Sequence, residues 1–121
     1  MNFERDLKKR TKSYALSIIG LTKLLQSTAS NKVIINQLLR SSTSVGANYL
    51  AACYAKSKTD FLNKIKIVEE EIVESRYWLE LLKSTNTVST DKIGVLLKET
   101  NELVSIFAAT IVTIKKSLYN K

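Results

Sequence analysis

The stretch FLNKIKIVEEEIVESRYWLELL, residues 61–82, decides the fold. Its apolar residues recur every three or four positions, a spacing that places them on one face of an α-helix. Seven consecutive positions of that face, of which one is polar, are Phe61, Ile65, Val68, Ile72, Ser75, Leu79 and Leu82. Just ahead of the stretch, Ser57 and Asp60 have the form of a capping box, with the hydroxyl accepting from the Asp60 amide and the carboxylate reaching back. We therefore predict that a helix begins here.

Three other segments show the same spacing of apolar residues, and short clusters of Ser, Thr, Asn and Asp separate them. The predicted helices cover residues 3–28, 31–55, 58–85 and 90–118. The first has Phe3 on its apolar face, and the last begins with a Ser89 cap across which Val88 contacts Ile93. Loops of a few residues force consecutive helices to run in opposite directions. The sequence predicts an all-α fold, a single-domain antiparallel up-down-up-down four-helix bundle over residues 1–121.

The composition supports helices and excludes several chemistries. The chain has no proline and three glycines among 121 residues, so it lacks the residues that usually separate short strands. Its lack of histidine excludes Ser-His-Asp and Cys-His nucleophilic sites, HExxH zinc sites and Glu-x-x-His di-iron sites. We expect a protein without a cofactor or a metal.

The composition also indicates the cellular compartment of the protein. The single cysteine, Cys53, cannot form an intrachain disulfide, which is typical of proteins in a reducing cytoplasm. The most apolar stretch, residues 103–114, is interrupted by hydroxyl side chains and falls short of the roughly 20 residues that span a bilayer. We expect a soluble, cytoplasmic protein with no membrane contact.

Small residues interrupt the apolar pattern inside the predicted helices. Gly20, Gly46 and Gly94 all lie there, where glycine costs up to about 1 kcal/mol relative to alanine. A close approach by the backbone of a neighbouring helix would offset that cost. The run SSTSVGAN, residues 41–48, concentrates small side chains around one of these glycines. It predicts a tight contact surface on the second helix.

Antiparallel folding sorts the charges of the chain, whose formal net charge is +8. It places the start of helix 1, the end of helix 2, the start of helix 3 and the end of helix 4 at one end of the bundle. Only three carboxylates belong to these segments: Glu4, Asp6 and Asp60. Twelve cations belong to them: Arg5, Lys8, Lys9, Arg10, Lys12, Lys56, Lys58, Lys64, Lys66, Lys115, Lys116 and Lys121. Such an excess attracts the phosphates of nucleic acids.

We take eight of these cations as the candidate nucleic-acid site and call them the basic pole: Arg5, Lys8, Lys9, Lys12, Lys56, Lys58, Lys115 and Lys116. The densest part lies in helix 1, where residues 5, 9 and 12 share one helical face. Lysines are also ordinary on solvated helix faces and near helix C-termini, and a net charge of this size serves solubility. Charge alone therefore leaves both interpretations open.

Other unusual side chains have structural interpretations. The acidic run at residues 69–74 favours a solvated face or a salt-bridge surface between subunits over a metal site, because at most Glu70 and Glu74 point the same way. Arg40 is the only charge between Lys32 and Lys56, and we predict that it pairs with a carboxylate of another helix or subunit.

Cys53 is interpreted as a small core residue rather than a nucleophile, since no histidine is available to activate it. Tyr77 and Trp78 offer faces on which bases could stack. The position of Trp78 beside the apolar face of its helix favours a place in the core or at an interface.

The residues from 37 to 82 carry a resemblance to a known bacterial family. Its motifs are QLLRSSTSVGAN (37–48), SKTDF (57–61), KIKI (64–67), Glu71, Glu74 and YWLELL (77–82). On these motifs the chain resembles the 23S rRNA-intervening sequence protein family, bacterial four-helix bundle proteins first noticed as reading frames inside intervening sequences of large-subunit ribosomal RNA genes. One departure is Ala51, which stands where the family usually has a glutamate. If that acid pairs with the helix 2 arginine in relatives, Arg40 needs another partner here.

The resemblance implies a left-handed up-down bundle that assembles into a ring-shaped homopentamer, with no known enzymatic activity. The likeness to a related branch, the accessory subunit of diversity-generating retroelements, implies binding of nucleic acid and of a reverse transcriptase through a positively charged pentameric surface. Helix 2, with its small residues, and the exposed flank of helix 3 are the candidates for the subunit contact.

Three classes of function compete. The favoured one is a non-enzymatic, oligomeric helical bundle that binds RNA or DNA nonspecifically through the basic pole. The alternative is a protein-interaction scaffold, on which the same surface docks an acidic protein partner such as a reverse transcriptase. An enzyme, for instance a nuclease, is disfavoured because the sequence offers neither a histidine nor a convincing carboxylate cluster for phosphodiester hydrolysis.

Overall fold

The computed structural model describes residues 2–87 and 89–120, and within them the chain forms four α-helices. They are α1 (Phe3–Thr22), α2 (Ala29–Cys53), α3 (Lys58–Thr85) and α4 (Thr90–Tyr119). Each helix packs along the next one in the sequence, and α1 meets α4 through the least extensive contact. The predicted all-α, antiparallel up-down-up-down four-helix bundle is confirmed.

One apolar face of each helix fills the core, as the helical spacing predicts. Ile18 of α1, Leu38 of α2, Leu79 of α3 and Phe107 of α4 are completely buried. The described part of the chain thus has a single apolar core to which all four helices contribute. Burial of this surface is the main term that favours folding.

Two aromatic residues that the spacing assigns to the core lie farther out. Phe61 is only half-buried, and Leu62 takes the inner position one residue later, in line with the buried Ile65. Phe3 is 60% exposed. It is the first residue of α1, at the end of the bundle, where few neighbours remain to cover it.

Two pairs of buried hydroxyl groups join neighbouring helices across the core. Ser75, the one polar residue on the apolar face of α3, bonds Ser41 of α2 with 2.8 Å between the oxygens. Tyr14 of α1 lies 2.7 Å from Thr100 of α4. Because the Thr100 hydroxyl donates to the Leu96 carbonyl, it accepts from Tyr14. Burial raises the pKa of Tyr14 to about 12, so this phenol remains a donor.

The ends of α1 and α2 differ from the prediction. α1 ends at Thr22, six residues early, because the chain must reverse before α2 begins at Ala29. Thr28, which the prediction assigned to the first helix, instead caps α2, its hydroxyl accepting from the Asn31 amide at 3.1 Å. α2 also begins two residues before its predicted start and ends at Cys53, two residues before its predicted end.

The two predicted caps have different outcomes. The Ser57 hydroxyl accepts from the Asp60 amide at 3.0 Å, which confirms one half of the capping box. The Asp60 carboxylate accepts from the Lys56 amide at 3.2 Å, so the returning bond is displaced by one residue. The predicted Ser89 cap is wrong, because Ser89 adopts a left-handed backbone (φ 61°) and its side chain makes no capping bond. Val88 lies outside the described residues.

A close helix approach is present at one of the three glycines. A Cβ atom at Gly46 would lie 3.3 Å from the Thr11 hydroxyl oxygen, so α1 and α2 meet closely here. Nothing lies within 4 Å of a Cβ atom at Gly20 or Gly94, and the expectation of close contact is wrong at both. The small residues at 41–48 therefore serve contacts within the bundle, toward α1 at Gly46 and toward α3 at Ser41.

The glycines provide a stability test of this packing. Gly20→Ala and Gly94→Ala are each expected to raise the free energy of unfolding by about 0.5–1 kcal/mol, because alanine favours the helix and meets no neighbour. Gly46→Leu is expected to lower it by roughly 1–3 kcal/mol through overpacking against Thr11. Urea denaturation followed by circular dichroism measures all three. A Gly46→Leu variant as stable as the parent would contradict the close contact.

Candidate nucleic-acid interface

The hairpin connections bring four helix termini to one end of the bundle. A cavity of about 500 Å³ at this end is lined by residues of all four helices, among them Glu4 of α1, Cys53 of α2, Lys58 of α3 and Ile114 of α4. The same cavity is bordered by Lys56 of the connection between α2 and α3. This end of the molecule therefore joins parts of the chain that are far apart in the sequence.

Lys8 of the basic pole is held in place by two neighbours. Its ammonium nitrogen lies 3.1 Å from a Glu4 carboxylate oxygen, one helical turn earlier on α1. The hydrogen bond to Glu4 raises the pKa of Lys8. The same nitrogen lies 5.5 Å from the centre of the Tyr54 ring, within the range of a cation–π contact. Lys8 thus links α1 to the end of α2.

Four lysines of the basic pole come from two segments, the start of α3 with the connection before it and the last turns of α4. Lys56 and Lys58 are exposed beside the cavity. The Lys58 ammonium donates to the Ser117 hydroxyl at 2.5 Å, which joins the start of α3 to the last turns of α4. Lys115 and Lys116 are exposed on these same last turns. The structure therefore places lysines of both segments around one end.

The remaining members of the basic pole lie on the outer surface of α1. Arg5 and Lys9 are exposed in the first turns of the helix. Lys12 lies farther from the bundle end and borders a groove between α1 and α2 next to Thr43 and Gly46. The basic pole thus includes a flank along α1 as well as the cap of the bundle.

Arg10 does not contribute to the exposed positive charge that the sequence predicts for it. It forms two hydrogen bonds to Glu99, of 2.7 and 2.6 Å, and one of 3.0 Å to Glu102. The hydrogen bond to Glu99 raises the pKa of Arg10. These counter-ions are not evident from the sequence, because the facing positions of α1 and α4 depend on the helix register, for which the sequence carries no signal.

Ion pairing accounts for part of the predicted charge excess. Lys64 pairs with Asp60 at 2.7 Å, and this hydrogen bond lowers the pKa of Asp60. Lys121 lies outside the described residues. Within the described ranges, seven members of the basic pole lie within 4 Å of no carboxylate: Arg5, Lys9, Lys12, Lys56, Lys58, Lys115 and Lys116. These seven exposed cations are the ones available to an anionic partner.

Arg40 pairs with carboxylates of another helix, as predicted. It donates to Glu71 at 2.9 Å and also to Glu74, both on α3. Glu74 in turn accepts from the Trp78 indole nitrogen at 3.2 Å. The Trp78 and Tyr77 rings also meet edge to face, with 5.0 Å between the ring centres. Part of the acidic run thus forms an ion-pair network between α2 and α3.

Other features of the described residues add no second candidate site. They contain no cluster of three His, Cys, Asp or Glu side chains that could hold a metal ion. Cys53 is half-buried against the core, and burial raises the pKa of its thiol. None of the helices in the described ranges is both long and apolar enough to span a bilayer.

Comparison with known families decides the identity. The family model of the 23S rRNA-intervening sequence protein matches residues 4–109. The chain belongs to this family. A crystal structure from Bacteroides thetaiotaomicron, described as a protein with unknown function from the S23 ribosomal protein family, is 32% identical with a TM-score of 0.80. The match covers 89% of the present chain and 96% of that one. Comparison with curated proteins found no match.

The chain has Ala51 where the resemblance implies a glutamate, and the structure shows which carboxylates pair with Arg40. Residue 51 lies eleven positions after Arg40 on α2, about 16 Å along the helix axis. A glutamate at that position would be too far along the helix to pair with Arg40 of the same chain. Glu71 and Glu74 supply the partners instead.

A double-mutant cycle tests the neutralisation of Arg10. Arg10→Gln and Glu99→Gln are expected to show a coupling of about 0.5–1 kcal/mol in the free energy of unfolding, because the pair has good geometry but is partly exposed to solvent. The coupling should shrink in about 1 M NaCl, which screens it. Arg5→Gln, which removes an unpaired cation from the same helix, is the control. Zero coupling would contradict this arrangement.

Proposed function

We propose that this protein is a non-enzymatic, oligomeric module that binds RNA or DNA without sequence specificity through the basic pole. The observation that carries the proposal is the set of seven exposed cations without a carboxylate partner among the described residues. They come from α1, α3, α4 and the connection between α2 and α3. These segments are widely separated in the chain, and the antiparallel order of the helices brings their ends to the same end of the bundle.

Phosphate groups are the partner chemistry that fits this surface. Each lysine that neutralises a phosphate releases a condensed counterion, which supplies most of the free energy of nonspecific nucleic-acid binding. Sequence-specific readout usually requires a helix or strand whose side chains enter a groove. The basic pole instead consists of lysines and one arginine at helix ends and on an outer helix surface, which favours backbone recognition. The comparisons indicate no enzymatic family.

Two charge-reversal variants with the same change of net charge test the site. Lys56→Glu/Lys58→Glu is expected to weaken binding of a mixed-sequence RNA at least tenfold, because it removes about two phosphate contacts and adds repulsion. Lys83→Glu/Lys92→Glu, at the opposite end of the bundle, is the matched control and should change affinity far less. Fluorescence anisotropy over a salt series measures affinity and its salt dependence. The slope of log K against log salt should fall by about two in the first variant alone.

Two outcomes would count against this function. One is no detectable binding at low ionic strength, and the other is an equal loss of affinity in both variants. Affinity capture from the native host, with and without nuclease, distinguishes nucleic-acid binding from the alternative function, a protein-interaction scaffold. An acidic protein that stays bound after nuclease treatment, with no nucleic acid recovered, would favour the scaffold on the same surface.

We also propose that the chain self-associates through the outer face of α3, in line with the homopentamer that the family resemblance implies. Ile67, Val73 and Tyr77 are exposed on this helix. The alternative surface, the small residues of α2, is partly used within the bundle by Gly46 and Ser41. Val73 and Tyr77 lie one turn apart on the outer face of α3, and Ile67 lies at the edge of that face. Exposed apolar side chains grouped on one face are typical of a surface that another copy covers.

Sedimentation measurements test the assembly. The parent protein is expected to sediment at five times its 13.6 kDa chain mass. Val73→Lys/Tyr77→Lys should sediment as a single chain, because two charges would be buried unpaired in the contact. Val95→Lys, on an exposed position of α4, is the control and should leave the mass unchanged. A parent protein that sediments as a single chain would refute self-association.

A further inference from the structure

The exposed aromatic side chains are unevenly distributed over the molecule. Four of the nine aromatic residues are exposed: Phe3, Tyr54, Tyr77 and Tyr119. Three of them lie at the end of the bundle that carries the basic pole, at the start of α1, after the end of α2 and at the end of α4. Aromatic side chains are usually at least partly buried because they carry a large apolar surface. Their concentration beside unpaired lysines points to a ligand that has both planar apolar faces and negative charge.

Tyr54 has the geometry of a stacking platform. Tyr54 is 77% exposed, so much of its ring is open to a planar group. The Lys8 ammonium lies 5.5 Å from the ring centre, and Glu4 holds that ammonium at 3.1 Å. The contact with Lys8 thus favours one orientation of the ring before any ligand arrives. Preorganisation of this kind reduces the entropy lost on binding.

Phe3 and Tyr119 are the other two exposed rings at this end of the bundle. Phe3 is 60% exposed and borders the cavity at the bundle end together with Lys56 and Lys58. Tyr119 is 79% exposed and lies about one helical turn after Lys115 and Lys116. Each exposed ring thus lies close to lysines of the basic pole. Alternation of rings and cations is how proteins bind single-stranded nucleic acids, whose bases stack on rings while phosphates contact cations.

We propose that the basic pole binds unpaired nucleotides, with bases stacked on Tyr54, Phe3 and Tyr119 and phosphates contacting the neighbouring lysines. This inference rests on the proposed nucleic-acid function and specifies its substrate as single-stranded RNA or DNA. In a duplex the base faces are already stacked on one another and the rings cannot reach them. Base stacking on aromatic side chains tolerates any sequence, because every base has a planar face. The basic pole therefore prefers strands, loops and ends over duplexes.

Substitutions at Tyr54 separate stacking from charge. The probes are a labelled 20-nucleotide strand of mixed sequence, as RNA and as DNA, and the corresponding duplexes, measured by fluorescence anisotropy at one salt concentration. The parent is expected to bind each single strand about tenfold or more tightly than its duplex. Tyr54→Leu should weaken single-strand binding roughly five- to tenfold and leave duplex binding unchanged, since leucine keeps apolar bulk but loses the planar face. Tyr54→Phe should bind like the parent.

The outcomes that would overturn the inference differ from those that would overturn the proposed function. Equal affinity for strand and duplex, or an equal loss on both in Tyr54→Leu, would refute stacking while leaving phosphate binding intact. Loss of binding in Tyr54→Phe as well would show that binding uses the hydroxyl of Tyr54 and not the face of its ring, and would also refute stacking. Failure of the proposed function would instead appear as no binding of any probe. Because Tyr54 is exposed, the urea midpoint of both variants should equal that of the parent.

Discussion

The structure depends on short connections between four helices that must bury one apolar face each. Six residues join α1 to α2, and four join each of the next two pairs. Connections of this length leave reversal as the only way to bring the next apolar face onto the same core. Reversal then decides which helix ends are neighbours. The grouping of Lys8, Lys56, Lys58 and Lys115 at one end follows from core burial, although none of these side chains belongs to the core.

Polar groups determine how the helices are rotated and aligned once the core is formed. A shift along the helix axis would separate Ser41 from Ser75 and would leave the buried Tyr14 phenol without its Thr100 acceptor, and a buried donor without a partner is costly. The ion pairs of Arg10 and Arg40 lie at the edges of the same contacts. These interactions hold the outer faces in place. The helix register that satisfies the buried hydrogen bonds also positions the rings and lysines at the bundle end.

Much of the fold could be predicted from the sequence because helical periodicity is a local signal. The apolar face of α3 and the Ser57 cap follow from spacing within one segment, and the antiparallel order follows from the short connections between segments. Three predictions failed, at Gly20, Ser89 and the end of α1. Each depends on which other residues lie next to that position in the folded chain, and this is a property of packing. The neutralisation of Arg10 has the same cause. The candidate site was predictable as a set of cations, while the exposed rings beside them required coordinates, since spacing placed Phe3 in the core.

The short first helix has a dynamic consequence. α1 has twenty residues, fewer than any other helix in the described ranges, and its contacts with α2 and α4 are together the least extensive of any helix. Local opening costs least where the fewest contacts must break, so the amide hydrogens of α1 exchange with solvent sooner than those of α3. This helix also carries Arg5, Lys8, Lys9 and Lys12. An anionic ligand that contacts them would bind the closed form preferentially and slow the exchange of the whole helix, so that occupancy of the surface rigidifies the most labile part of the bundle.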